Sequence, residues 1–181
     1  MYAVVCGLDE LFADNKAEFF KEEFGIEKIP SKPKQRHSAL QIVTAYLTEN
    51  GVVLGQEKVQ EKTNEIPVFQ EMLGYLKIKG KTITADAMHC QKETCKKIIE
   101  KEGNYVFGLK ENQKSLYKDV ELYFQSSNTN TDLETFTTTK KNGGRIKKRI
   151  CRKLSDLSWL DQRSEWSGLR TVFSVTRIVK N

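Results

Sequence analysis

Residues 80–113 read GKTITADAMHCQKETCKKIIEKEGNYVFGLKENQ, and this stretch decides the fold. Its first part, Lys81 to Ala85, is a short apolar strand pattern rich in β-branched residues that runs into Asp86. The spacing from Gln91 to Lys101 predicts a helix, and Gly103 is placed to stop it. Tyr105 to Lys110 (YVFGLK) then predicts a second strand, and Gln113 to Phe124 has the spacing of another amphipathic helix. Strands alternating with helices imply an α/β sheet, and functional groups in such sheets gather at the C-terminal ends of strands. Asp86 stands at one of those ends.

Upstream, SALQIVTAYLTE (residues 38–49) alternates apolar and polar residues, and Glu49-Asn50-Gly51 leads into a second alternating run, VVLGQEKV (52–59). This predicts a β-hairpin. Residues 65–76, EIPVFQEMLGYL, predict a helix with Pro67 tolerated in its first turn. The sheet is therefore expected to be of mixed direction. Further upstream, Leu8, Leu11, Phe12, Phe19, Phe20 and Phe24 recur at helical steps before Gly25, and IEKIPSKPKQRH (26–37) reads as a junction. The expected division is a helical N-terminal piece over residues 1–33 and an α/β domain over residues 34–181.

Downstream, SSNTNTD (126–132) resembles a surface loop, and TFTTTKKNGGRIKKRICRKL (135–154) predicts a basic hairpin turning at Asn142-Gly143-Gly144. A last apolar run, TVFSVTRIV (171–179), predicts a late strand or a buried tail.

The chain has 181 residues, enough for one real hydrophobic core. It contains no apolar run of roughly 18 residues, and MYAVVCGLDELF lacks the basic flank and cleavage site of a signal peptide, so the expected location is cytoplasmic. Net charge is +6, which favours a polyanionic partner such as nucleic acid, although runs such as Lys147-Lys148-Arg149 are common on solvated faces. The four cysteines, Cys6, Cys90, Cys95 and Cys151, lack the paired spacing of a zinc ribbon or a disulfide framework. His89 beside Cys90 and Cys95 hints at a metal site. The C-x4-C spacing, however, is expected to point the two thiols to different sides of a helix, and no partner pair follows.

Asp86, flanked by the small residues Ala85 and Ala87, has two readings. An Asp at a strand end commonly caps the next helix by accepting from its free N–H groups. The same position is also where a divalent metal site on an α/β sheet is built. Lys110, Asn112 and Gln113 are equally open between phosphate contact on one side, and a strand-end lysine followed by helix-capping residues on the other.

Three stretches carry a resemblance: HSALQIVTAYLTENGVVLGQEKVQEKTNEIP (37–67), ITADAMHCQKE (83–93) and YVFGLKENQ (105–113). They resemble the catalytic region of the ISAs-type, or H-repeat-associated, insertion-sequence transposases of the DDE class. That resemblance implies a ribonuclease H-like fold and cleavage and joining of DNA at the element's ends. It also implies two Mg²⁺ or Mn²⁺ ions held by Asp, Asp and Glu. Two hard cations about 4 Å apart, set to activate an attacking oxygen and stabilise the leaving one, need several carboxylates.

By the same resemblance, Asp86 is the second acid of the triad and both a catalytic residue and a metal ligand. Lys110, Asn112, Gln113 and Arg145 match positions expected to contact DNA. The strand carrying the first acid, expected just before PKQRHSALQ, has no counterpart; the text jumps at Ser31-Lys32-Pro33, as an in-frame internal deletion would make it. Loss of that central strand is expected to leave unpaired sheet edges, which the apolar residues Tyr2 to Cys6 could patch. The segment resembling the third-acid motif is Gly143-Gly144-Arg145-Ile146-Lys147, with Lys147 at the place of the Glu. The expectation is thus a shortened, catalytically defective copy that still binds DNA, with a noncatalytic DNA-binding fragment, or one that forms a homodimer or pairs with an intact transposase, as the rival.

Overall fold

A computed structural model of the chain describes residues 2–6, 41–60, 64–126, 133–142 and 145–180. The expected N-terminal helical pattern from Leu8, the Ser31–Pro33 junction and most of the SSNTNTD loop lie outside these residues. The chain divides into two compact units, residues 9–76 and residues 1–8 with 77–181.

In the first unit, strands β2 (Ile42–Leu47) and β3 (Val52–Lys58) pair antiparallel across a tight turn. Gly51 sits there at φ 66, a left-handed conformation that costs glycine nothing. Helix α1 (Glu65–Tyr75) is capped by Asn64, whose side-chain oxygen accepts from the Ile66 N–H at 3.0 Å. Val43, Val59 and Met72 are its buried centre, with Ala45, Val68, Phe69 and Leu76 packed around them.

The second unit is a six-stranded mixed sheet with helices. Its strands are β1 (Tyr2–Cys6), β4 (Thr82–Ala85), β5 (Asn104–Leu109), β6 (Glu134–Asn142), β7 (Arg145–Leu154) and β8 (Thr171–Lys180), in the order β4-β5-β1-β8-β7-β6. Only the β4–β5 pair is parallel, joined through helix α2 (Lys92–Glu100); every other neighbour is antiparallel. Tyr105, Val106, Phe107 and Leu109 of β5 are all buried, the continuous pattern of a strand covered on both faces. Helix α3 (Lys114–Ser126) buries Leu116, Val120 and Phe124, residues four apart on one stripe.

The end of α2 differs from its sequence reading. The left-handed residue there is Glu102 (φ 55), not Gly103. The Gly103 N–H donates to Ile98 O at 3.0 Å and the Glu102 N–H to Ile99 O at 2.9 Å, the two bonds of a Schellman motif. Gly103 is instead required for space. A Cβ there would come within 3.1 Å of Ile98 Cγ2 and 3.2 Å of Ile78 O.

The N-terminal strand joins the sheet between β5 and β8, with Val4 opposite Phe107 on one side and Val172 on the other. Tyr2 to Cys6 therefore fills an interior place in the sheet, paired on both sides, as the patch expected of it would be. The strand left at the edge is β4, paired only with β5 among the described residues.

Candidate functional site

Asp86 follows β4 directly and is exposed at the C-terminal edge of the parallel pair. Its Oδ1 accepts the Met88 N–H at 3.1 Å, and its carbonyl accepts the His89 N–H at 3.2 Å, starting a 3-10 turn over Ala87–His89. The capping role and the strand-end position thus coexist in one residue. The turn lies close on β5, because a Cβ at Gly108 would be 3.3 Å from Ala87 N. Glycine at that position lets the Asp86 turn settle on the sheet.

The turn after β5 holds the turn after β4. The Asn112 side-chain amide donates to Ala87 O at 2.6 Å, and Gln113 Nε2 donates to Cys90 O at 2.9 Å and to Gln91 Oε1 at 3.0 Å. Gln91 Nε2 in turn reaches Met88 O at 3.0 Å. Four hydrogen bonds between side-chain amides and their neighbours thereby fix the segment from Ala87 to Gln91 from two sides. Neither expected role for Asn112 and Gln113 describes this. Their side-chain amides donate to the loop that follows Asp86, while Lys110 is exposed at the end of β5. A clue was present in the sequence: two side-chain amides at one strand end and a Gln at the other.

The thiols also differ from expectation. Cys90 precedes α2 rather than lying on it, so helical facing does not separate it from Cys95, and both are fully buried. Burial pushes the Cys90 thiol well above its ordinary range, with the neighbouring Cys95 adding to the rise.

Lys147 and Arg145 do not share the Asp86 site. Ala85 aligns through Phe107, Val4 and Val172 with Leu154 of β7, and β7 is four strand steps from β4, about 19 Å at the usual sheet spacing. Lys147 lies seven positions along β7 from Leu154, a further distance of about 23 Å. The expectation that Lys147 occupies a third-ligand position beside Asp86 is overturned by this register. Arg145 is two positions farther out, at the tip of the β6–β7 hairpin.

A profile of the transposase DDE domain matches residues 16–177. The chain belongs to the DDE transposase family. It is 36% identical over 140 residues to the H repeat-associated putative transposase YhhI of Escherichia coli K12, covering 75% of this chain and 36% of that protein. It is 37% identical over 117 residues to the H repeat-associated putative transposase YbfD of the same strain, covering 64% and 46%. An uncharacterized protein from the dhlA 3′ region of Xanthobacter autotrophicus is 33% identical over 137 residues, covering 76% and 46%. The chain thus spans between about a third and a half of the length of these relatives. No solved structure matches it.

Transposases of this family generally use divalent metal. Asp86 offers one carboxylate, with Oδ1 already accepting a backbone N–H, and among the described residues no group of three His, Cys, Asp or Glu comes together. Two divalent cations need several hard oxygen ligands at once, so the described residues do not fit a two-ion site. Among them, no helix is long and apolar enough to cross a membrane.

Proposed function

We propose that this chain acts on DNA in the cytoplasm as part of a DDE-type insertion-sequence transposase built on a ribonuclease H-like sheet, and that by itself it is catalytically defective. The observation that carries this reading is the setting of Asp86. It stands at the C-terminal edge of β4, its following loop held by the Asn112 and Gln113 amides, and among the described residues no three His, Cys, Asp or Glu side chains come together as a metal site. Asp86 is the proposed catalytic carboxylate, Asn112 and Gln113 position its loop, and Lys110 and Arg145 are proposed phosphate contacts. The coarse sheet order supports the fold assignment through the parallel β4–α2–β5 unit, a right-handed crossover by general rule.

The test is strand nicking of a labelled duplex carrying the element's end sequence, with Mg²⁺ or Mn²⁺, by the unaltered chain and by Asp86→Ala. Neither is expected to nick. Cleavage by the unaltered chain but not by Asp86→Ala would overturn the proposed defect.

A second reading, a fragment that forms a homodimer or pairs with an intact transposase, draws on the sheet's two terminal strands, β4 and β6. Sedimentation showing a monomer at tens of micromolar, alone and with a full-length relative, would remove it.

A further inference from the structure

The outer half of the β6–β7–β8 ribbon runs past the rest of the sheet. Among the described residues, strand β8 pairs with β1 only as far as Ser174, and its remaining residues to Lys180 pair only with β7. Because β5 and β8 run the same way across β1, this extension projects beyond the edge where β4 and β5 end, which is the edge carrying Asp86 and Lys110.

Residues directly opposite in a sheet share a face, so the register sorts the ribbon's charges. Lys147 lies opposite Lys140 on one side and Val179 on the other; Arg149 lies opposite Arg177 and Thr138. Arg145 continues the same row at the tip. One face thus carries Arg145, Lys140, Lys147, Arg149 and Arg177, including two directly opposed like-charge pairs. The carboxylate of this face among the described residues is Glu134 at the base, and it is engaged by Lys153 at 3.3 Å. Opposed like charges destabilise a sheet, so folding does not explain this row. A dense polyanion lying along it does, since neutralisation converts the repulsion into attraction.

We infer that this face of the ribbon is a clamp for the phosphate backbone of duplex DNA, separate from the Asp86 edge. This rests on the reading of the chain as a transposase segment that acts on DNA. The geometry favours a DNA duplex. Three strands span about 10 Å between their outer backbones, and Arg145, Lys147 and Arg149 recur about every 7 Å along β7, a broad row suited to lying along a duplex backbone that carries about one charge per 1.7 Å of axis.

The experiment measures binding of the full chain to a 30-base-pair duplex of arbitrary sequence across a salt series. The variants are K140A/K147A/R149A/R177A and an equally charged control, K81A/K96A/K114A/K118A, which leaves the ribbon intact. The ribbon variant is expected to lose at least about tenfold in affinity and to flatten the log–log salt slope by about three to four, while the control keeps both nearly unchanged. The charge-conserving pair R149K/R177K should bind like the unaltered chain. Thermal melting of the ribbon variant should be unchanged or higher, because repulsive pairs have been removed, which separates lost contact from lost fold.

Equal losses in the ribbon and control variants, or none in either, would overturn the clamp while leaving DNA binding standing. Failure of the unaltered chain to retain duplex even at low salt would overturn the DNA-acting reading itself. Tighter binding to single-stranded RNA than to the duplex would overturn the choice of partner.

Discussion

Strand β8 belongs to two different physical worlds. Its first four residues, Thr171 to Ser174, are buried beside β1 and β7, whereas Thr176 to Lys180 are exposed on the projecting ribbon. The inner half is held as the β5 region is held, by apolar surface removed from water around Phe107, Val172 and Phe173. The outer half is held by its ladder hydrogen bonds against opposed positive charge. A single strand can therefore be scaffold at one end and contact surface at the other, and stability and binding should respond to different substitutions along it.

The largest effect should come from the inner region. Phe107 is fully buried and stacks on Tyr105 with ring centroids 5.2 Å apart, so Phe107→Ala should cost about 3–5 kcal/mol in urea unfolding. Ile178→Ala, on the exposed outer half, should stay within about 0.5 kcal/mol of the unaltered chain. Comparable losses from the two would erase the distinction between the halves.

Thiol chemistry sharpens the comparison. Burial pushes Cys151, where the ribbon leaves the core, from 9.0 up to about 11, and pushes the core thiol Cys90 higher still. A raised thiol pKa means less thiolate at a given pH, about a hundredfold less for Cys151 than for an unfolded cysteine at pH 8. Site-resolved alkylation of the folded chain should therefore be slow at Cys151 and accelerate as pH rises towards 11, with Cys90 modified only on unfolding. The stability linked to Cys151 is present below its unfolded value and declines as pH rises from about 9 to about 11. Cys90 reacting as fast as Cys151 at pH 8 would contradict the burial difference.

A smaller effect is expected at the Asp86 loop. Asn112→Ala removes the 2.6 Å bond to Ala87 O and should cost about 1 kcal/mol. Hydrogen exchange at Met88 and His89 should speed up while amides of the ribbon stay unchanged. Ribbon amides changing equally would mean that the loop and ribbon are not independent.

The smallest effect concerns Glu102, whose positive φ is strained for any residue with a Cβ. Its exposed pair with Lys79, at 2.8 Å, offsets little of that cost. Glu102→Gly should raise stability by about 0.5–1 kcal/mol in the same unfolding assay, and a loss would mean that the ion pair outweighs the strain.

The sequence by itself determined the local elements. Alternation marked the hairpin at residues 42–58, helical spacing marked α1, α2 and α3, and the run from Lys81 to Asp86 ended a strand at the right residue, because these signals are short-range patterns of side-chain period and turn chemistry. Family membership was legible for the same reason, in contiguous words such as ITADAMHCQKE. Only tertiary structure decided which strands meet. That β1 lies between β5 and β8, that β4 is a terminal strand, and that Lys147 stands far from Asp86 all follow from pairings between distant segments. Such pairings leave no periodic trace in either partner, since a strand's alternation fixes which face is buried but not which neighbour it takes. The same limit hid the work of Asn112 and Gln113: a side-chain amide advertises its donors, and only the fold brings Ala87 and Cys90 within their reach.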